Sequence, residues 1–204
     1  MVLEELAERV RRGLAIRGVP TSERTAEEAR RAGIPLVSLA DVDFLDLTID
    51  GADEITERGS AVKGGGGALL REKVVAAATR GTRVCAVDES KLVARLGAFP
   101  LPVEVVPFAR PIVARRVAAL GASWTLRMRD GREPFLTDNG NHLVDCRFAP
   151  RDEWDDVARA LESMPGVVAH GLFLDCFDVI AVGSESGVSL TRVARVKPGR
   201  FPSL

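Results

Sequence analysis

Apolar residues at Leu3, Leu6, Val10 and Leu14 recur at helical spacing, which predicts an amphipathic helix over Leu3–Leu14 that ends near Gly18 and arrives without a preceding strand. A second helix is expected over Thr25–Ala32, with Thr21 or Ser22 as N-cap and Gly33 as the stop, followed by a short extended piece at Pro35–Leu39. Phe44–Asp50 (F-L-D-L-T-I-D) is rich in β-formers and runs into Gly51-Ala52-Asp53, so it reads as a buried strand closed by a turn. Ala61–Gly67 is a glycine-dense connection into a helix over Ala68–Thr79, and Thr82–Val87 is a continuous apolar strand ending in Asp88. Strands alternating with helices predict an α/β protein with a parallel, doubly wound sheet.

From Pro100 the pattern changes. Pro100, Pro102, Pro107 and Pro111 mark a boundary, and the pieces beyond it read strand Val103–Val106, helix Ile112–Leu120, strands Trp124–Met128 and His142–Cys146, helix Asp152–Met164 and strand Val167–Phe173. That β-α-β-β-α-β order describes an inserted ferredoxin-like α+β module. Asp178–Val182 then resembles a last strand of the first domain, and Lys197–Leu204 a loose tail. The expected division is 1–99 for the first domain, 100–175 for the inserted module, and 176–204 for the return and tail.

With 204 residues, 46% apolar and 28% charged, the chain has the composition of a globular protein of one or two domains. No run approaches the ~20 apolar residues of a membrane span, and the start at Met1–Arg12 is acidic where a leader would be basic, so the expected compartment is the cytoplasm. A net charge of −1 without a long basic run gives no footprint for nucleic acid. Cys85, Cys146 and Cys176 lack C-x-x-C spacing and read as reduced core thiols; His142 and His170 lack partners for a metal centre or a charge relay.

Three segments carry candidate chemistry. Asp50-Gly51-Ala52-Asp53-Glu54 puts three acids at the carboxyl end of a strand, where open α/β sheets bind ligands; turn geometry explains Asp-Gly but does not require three acids. Lys63-Gly64-Gly65-Gly66-Gly67-Ala68 opens onto a helix N-terminus and lets backbone N–H groups approach an anion or oxyanion. It matches neither G-x-G-x-x-G, since Leu69 or Leu70 occupies the third position, nor the nucleotide P-loop. Glu72 lies one turn further on, with Ala68, Leu69, Val75 and Ala76 as its helical neighbours. A carboxylate on such a stripe is desolvated and its pKa rises towards that of a general base, unless the side chain lies at the stripe's edge and reaches water. Lys91, in Asp88-Glu89-Ser90-Lys91, follows the next strand and reads equally as a phosphate contact or a solvated lysine. Thr137–Asn141 reads as a tight turn between two strands.

Taken together, D-L-T-I-D-G-A-D-E-I at Asp46–Ile55, V-K-G-G-G-G-A-L-L-R-E-K at Val62–Lys73, D-E-S-K at Asp88–Lys91, F-P-L-P-V-E-V at Phe99–Val105 and T-D-N-G-N at Thr137–Asn141 make the chain resemble ribose-5-phosphate isomerase type A, in order and in spacing, from about Gly18 to about Leu190. The resemblance implies a Rossmann-like parallel-sheet domain carrying a ferredoxin-like one, interconversion of D-ribose 5-phosphate and D-ribulose 5-phosphate without metal or organic cofactor, and a homodimer or homotetramer. It implies Glu72 as the catalytic base, with Lys63, Asp50 and Asp53 catalytic beside it. The substrate would be held by Asp50, Gly51, Ala52, Asp53, Lys63, Gly64, Gly65, Gly66 and Lys91. The family usually begins with a strand and a Gly-Thr-Gly-Ser-Thr phosphate loop that this sequence does not show, so the resemblance implies an amino-terminally shortened chain or a divergent one. An inactive or sensor-type sugar-phosphate-binding protein of the same fold is the rival reading. A nucleotide-dependent oxidoreductase fits the fold class but lacks the fingerprint.

Overall fold

A computed structural model of the chain describes residues 2–194. The helices are α1 (Val2–Arg11), α2 (Glu23–Arg31), α3 (Leu69–Ala77), α4 (Arg110–Ala119) and α5 (Asp155–Glu162). The strands are β1 (Leu45–Asp50), β2 (Glu54–Ile55), β3 (Ala61–Val62), β4 (Thr79–Asp88), β5 (Leu101–Val105), β6 (Ser123–Leu126), β7 (Met128–Arg129), β8 (Glu133–Pro134), β9 (His142–Arg147), β10 (Val167–His170), β11 (Leu172–Phe173), β12 (Val179–Ser184) and β13 (Gly187–Arg192). The tail at Lys197–Leu204 lies outside the described residues.

The first sheet has the order β1-β4-β12-β13, with β4 parallel to both β1 and β12. Its far edge departs from the all-parallel expectation: β13 returns antiparallel on β12 after a tight hairpin at Ser184–Gly187. The signal for that strand was the alternation of Val188 and Leu190 with Ser189 and Thr191. The strand β1 is formed as expected but is not buried. Thr48 lies inside, while Leu47 and Ile49 are 52% and 43% exposed. Successive side chains on a strand face opposite ways, so only one face of β1 lies towards α3. On that face Thr48 Oγ1 meets Thr79 Oγ1, which in turn bonds the Val75 carbonyl of α3 at 2.8 Å.

The second sheet runs β10-β5-β9-β6 with every neighbour antiparallel. Numbered within the module that is 4-1-3-2, the ferredoxin-like arrangement, with α4 and α5 closing its core. Every residue of the central strand β5 is buried. Val103 and Val105 pack with Val113, Val117, Val144 and Leu161; each such side chain contributes roughly 1.5–3 kcal/mol by leaving water. The expected strand Val167–Phe173 breaks at Gly171 into β10 and β11. The second piece leaves the ferredoxin-like sheet to pair with β3 in a small sheet of order β11-β3-β2. Gly171 is a close backbone crossing: a Cβ there would stand 2.1 Å from the Lys63 carbonyl oxygen.

Local signals place the helix ends. Ser22 caps α2 by accepting from Thr25 N at 3.0 Å, and Gly33, at φ +75°, ends it. Helices α1 and α2 share a separate small core around Ala7, Ala29 and Ile34. Cys85, Cys146 and Cys176 are buried and free, and His170 is packed inside at 2% exposure.

Candidate active site

Four short segments meet at the carboxyl end of β1: the turn after Asp50, the loop after β3, the first turn of α3 and β11. Lys63, at the end of β3, is the centre. Its ammonium stands 3.0 Å from Asp50 Oδ2 and 3.3 Å from Glu72 Oε2, and it donates to the Gly51 carbonyl. The Phe173 ring lies 5.4 Å away. The Lys63 side chain is 3% exposed, Glu72 15% and Asp50 21%. Burial works against the charge on Lys63, but Asp50 and Glu72 outweigh it and hold the ammonium pKa above the ordinary lysine value.

The Glu72 pKa is raised as well, but here the shift favours the neutral form. Desolvation, only partly offset by Lys63 and reinforced by Asp50, lifts its carboxyl from 4.5 to about 7. Its contact with Lys63 is an ion pair outside hydrogen-bond alignment, so Oε2 is buried without a hydrogen bond. An unsatisfied, desolvated carboxyl oxygen is a proton acceptor held ready near neutral pH. Below the cluster, burial pushes the Cys85 thiol up to about 12, which makes it inert.

The glycine loop closes the other side. Gly64 and Gly67 have φ of +105° and +89°, which favour glycine, and the Gly67 N–H returns to the Gly64 carbonyl at 3.0 Å. Gly65 N donates to Asp53 Oδ2 at 2.7 Å, and a Cβ on Gly65 would stand 2.5 Å from Asp53 Oδ1. Glycine is required there because the loop lies directly on the carboxylate. Asp50 steadies its own turn through Gly51 N at 2.8 Å, and Ala52 packs against the core of the first sheet. A Cβ on Gly66 would meet nothing within 4 Å, so this residue borders open space. Asp50, Gly51, Ala52, Asp53, Lys63, Gly64, Gly65, Gly66 and Glu72 are thus brought together. Lys91 ends a 3-10 turn, Glu89–Lys91, at the same edge of the sheet, but its ammonium makes none of the ion pairs of the Lys63 cluster.

Sequence reasoning missed what supports this site. Arg127, just after β6, and Asp145 on β9 pair bidentately, and Arg127 also reaches the glycine loop. Glu104 is fully buried on β5. Its Oε1 accepts from Thr137 Oγ1 at 2.9 Å, Asn139 Nδ2 at 3.2 Å and Asn141 Nδ2 at 2.9 Å, which shapes the Thr137–Asn141 turn. That turn holds Arg71, one residue before Glu72, through Asn139 Oδ1 at 3.1 Å. Arg127 gave no signal, since a lone arginine in an alternating strand reads as a solvated side chain. Glu104 stood in the F-P-L-P-V-E-V motif as an acid inside an apolar run, which was the available cue.

A desolvated carboxyl with its pKa raised to about 7, a buried ammonium and a glycine loop at the carboxyl edge of an α/β sheet together have the chemistry a proton-transferring enzyme uses. The comparisons with known proteins make that class particular. Residues 17–187 match the family model for ribose 5-phosphate isomerase A (phosphoriboisomerase A). The chain is 50% identical over 181 residues to ribose-5-phosphate isomerase A of Sphingopyxis alaskensis, covering 88% of this chain and 78% of that protein. It is 49% identical over 197 residues to the same enzyme of Thermomicrobium roseum, covering 96% and 83%. The solved ribose 5-phosphate isomerase A of Neisseria gonorrhoeae superposes with a TM-score of 0.87 at 39% identity, covering 95% of this chain and 83% of that one. A D-ribose-5-phosphate isomerase in complex with phospho-erythronic acid superposes at 0.89 with 36% identity, covering 93% and 84%. The chain belongs to the ribose 5-phosphate isomerase A family.

Proposed function

We infer that the chain is an aldose–ketose isomerase that interconverts D-ribose 5-phosphate and D-ribulose 5-phosphate in the non-oxidative pentose phosphate branch. The observation that carries this reading is the Asp50–Lys63–Glu72 cluster, in which a desolvated carboxyl near pKa 7 stands 3.3 Å from a buried ammonium. Moving the carbonyl from C1 to C2 requires removal of the C2 proton and its return to C1, which one carboxylate lying over both carbons performs. Glu72 is that base. Negative charge develops on the enediolate oxygens during transfer, and Lys63 with the Gly66 N–H of the glycine loop supplies donors that are already in place. Asp50 and Asp53 carry hydroxyl protons and assist ring opening, and Lys91, on the same sheet edge, takes the phosphate. A sensor-type sugar-phosphate-binding protein is not favoured, because binding alone needs no desolvated base.

The division of the chain at 1–99, 100–175 and 176–204 is part of the same reading, supported by the separate sheets that residues 101–170 and the flanking segments build. So are the cytoplasm as compartment and, on the family resemblance, a homodimer or homotetramer as assembly. Among the described residues no helix is long and apolar enough to cross a membrane. Coupled turnover of ribose 5-phosphate tests the reading: Glu72→Gln is expected to lower kcat by about 10²–10⁴-fold, and unchanged turnover would remove Glu72 from the chemistry.

A further inference from the structure

We propose that Arg127, carried by the ferredoxin-like module, is a positioning residue of the isomerisation: anchored by Asp145, it holds two consecutive glycine carbonyls and so keeps the Gly65 N–H on Asp53 and the Gly66 N–H turned to the open, reacting side of the site. The proposal rests on the isomerase reading above. Arg127 Nη1 donates to the Gly64 carbonyl at 2.8 Å and to the Gly65 carbonyl at 2.9 Å. Its Nε donates to Asp145 Oδ2 at 2.9 Å, and Nη2 bonds the other carboxylate oxygen. The two side chains are 15% and 19% exposed. One guanidinium therefore fixes a carboxylate with one edge and two adjacent peptides with one nitrogen, which the point charge of a lysine does not reproduce.

The consequence for the loop follows from peptide geometry. In a planar trans peptide the C=O and the N–H point opposite ways. Holding the Gly64 oxygen against Arg127 turns the Gly65 N–H to the far side, where it meets Asp53 Oδ2 at 2.7 Å. Holding the Gly65 oxygen turns the Gly66 N–H away from the guanidinium in the same sense, and Gly66 borders open space. A run of glycines left to itself samples both peptide orientations freely, since no Cβ restricts it. The Gly67 N–H and Asp53 help to fix the first of these peptides, and Arg127 fixes the second through the Gly65 carbonyl before substrate arrives, which is the preorganisation a developing oxyanion requires. The module beyond Pro100 thus contributes to catalysis without touching the reacting carbons.

Arg127→Lys and Asp145→Asn, each compared with the parent protein, test this. The measurements are kcat and KM for ribose 5-phosphate, the affinity for phospho-erythronic acid by calorimetry, and the melting temperature. The carboxylate of that acid stands in for the charged enediolate oxygens. For Arg127→Lys, kcat is expected to fall about tenfold or more while KM stays within about threefold. Phospho-erythronic acid should weaken by about the same factor as kcat falls. Asp145→Asn, which leaves the guanidinium in place but frees its orientation, should show a smaller loss of the same kind. A pure staple between modules would lower the melting temperature and leave kcat and analogue affinity of the folded fraction unchanged, and that result overturns the proposal. Should Arg127→Lys not fold, full kcat in Asp145→Asn overturns it equally. Turnover by the parent protein separates the two inferences: if the parent does not convert ribose 5-phosphate, the isomerase reading fails, whereas the analogue affinity of Arg127→Lys still decides the role of Arg127.

Discussion

The raised carboxyl pKa of Glu72 has a sign that can be measured. Its folded value of about 7 lies above the ordinary 4.5, so the folded protein keeps a proton that the unfolded chain releases. The stabilisation is full below pH 4.5 and is lost as pH rises towards 7. Within that window stability falls by about 1.4 kcal/mol per pH unit, about 3 kcal/mol in all, and above pH 7 the contribution is flat. Glu72→Gln removes the titration while keeping the shape. Urea denaturation of both proteins at intervals between pH 4 and pH 9 should therefore give a stability difference that slopes through the window and levels off on either side. The same carboxyl must be ionised to act as a base, so kcat/KM of the parent protein should rise with pH along an acid limb centred at about 7. A flat stability difference between pH 4.5 and 7, or an acid limb at the ordinary carboxylate value, would refute the argument that burial sets the base.

Three further outcomes follow from the packing. Gly171→Ala places a Cβ 2.1 Å from the Lys63 carbonyl oxygen, so backbone must move: the cost is about 1–3 kcal/mol, seen as a melting temperature lowered by several degrees, with kcat lowered too because Lys63 is displaced. Glu104→Ala leaves the buried Thr137 hydroxyl and two asparagine amides without their acceptor. It should destabilise by about 2–4 kcal/mol in urea titration, with Glu104→Gln restoring part of the loss; an unchanged midpoint would contradict the network. Burial pushes Cys85, Cys146 and Cys176 up to about 12, so a disulfide reagent at pH 8 should label none of them in the native protein and all three in urea, and rapid native labelling would contradict their packing.

Much of the site was legible because its chemistry is local. Asp50 and Asp53 lie on one turn, and Lys63 through Glu72 on one loop and the helix it opens, so two short segments carry the acids, the glycines and the candidate base. The order of elements beyond Pro100 likewise gave the ferredoxin-like module, since alternating and helical periods mark each piece. The breaks at Gly171 and before β13 were less legible. A glycine inside an apolar run signals a close backbone approach without saying to what, and the partner of Gly171 proved to be Lys63, more than a hundred residues earlier.

What the sequence by itself determined is the set of chemical groups and the periodicity that folds them: a carboxylate on an apolar helical stripe, a lysine before four glycines, acids at a strand's end. What only the tertiary structure decided is the charge balance among them. Desolvation and Coulomb energy depend on distance and burial, which no linear pattern encodes. The 3.0 and 3.3 Å separations around Lys63 and the reach of Arg127 from another sheet to Gly64 and Gly65 exist because the chain returns on itself. A lone arginine or a buried glutamate carries no mark of its partner until folding supplies one.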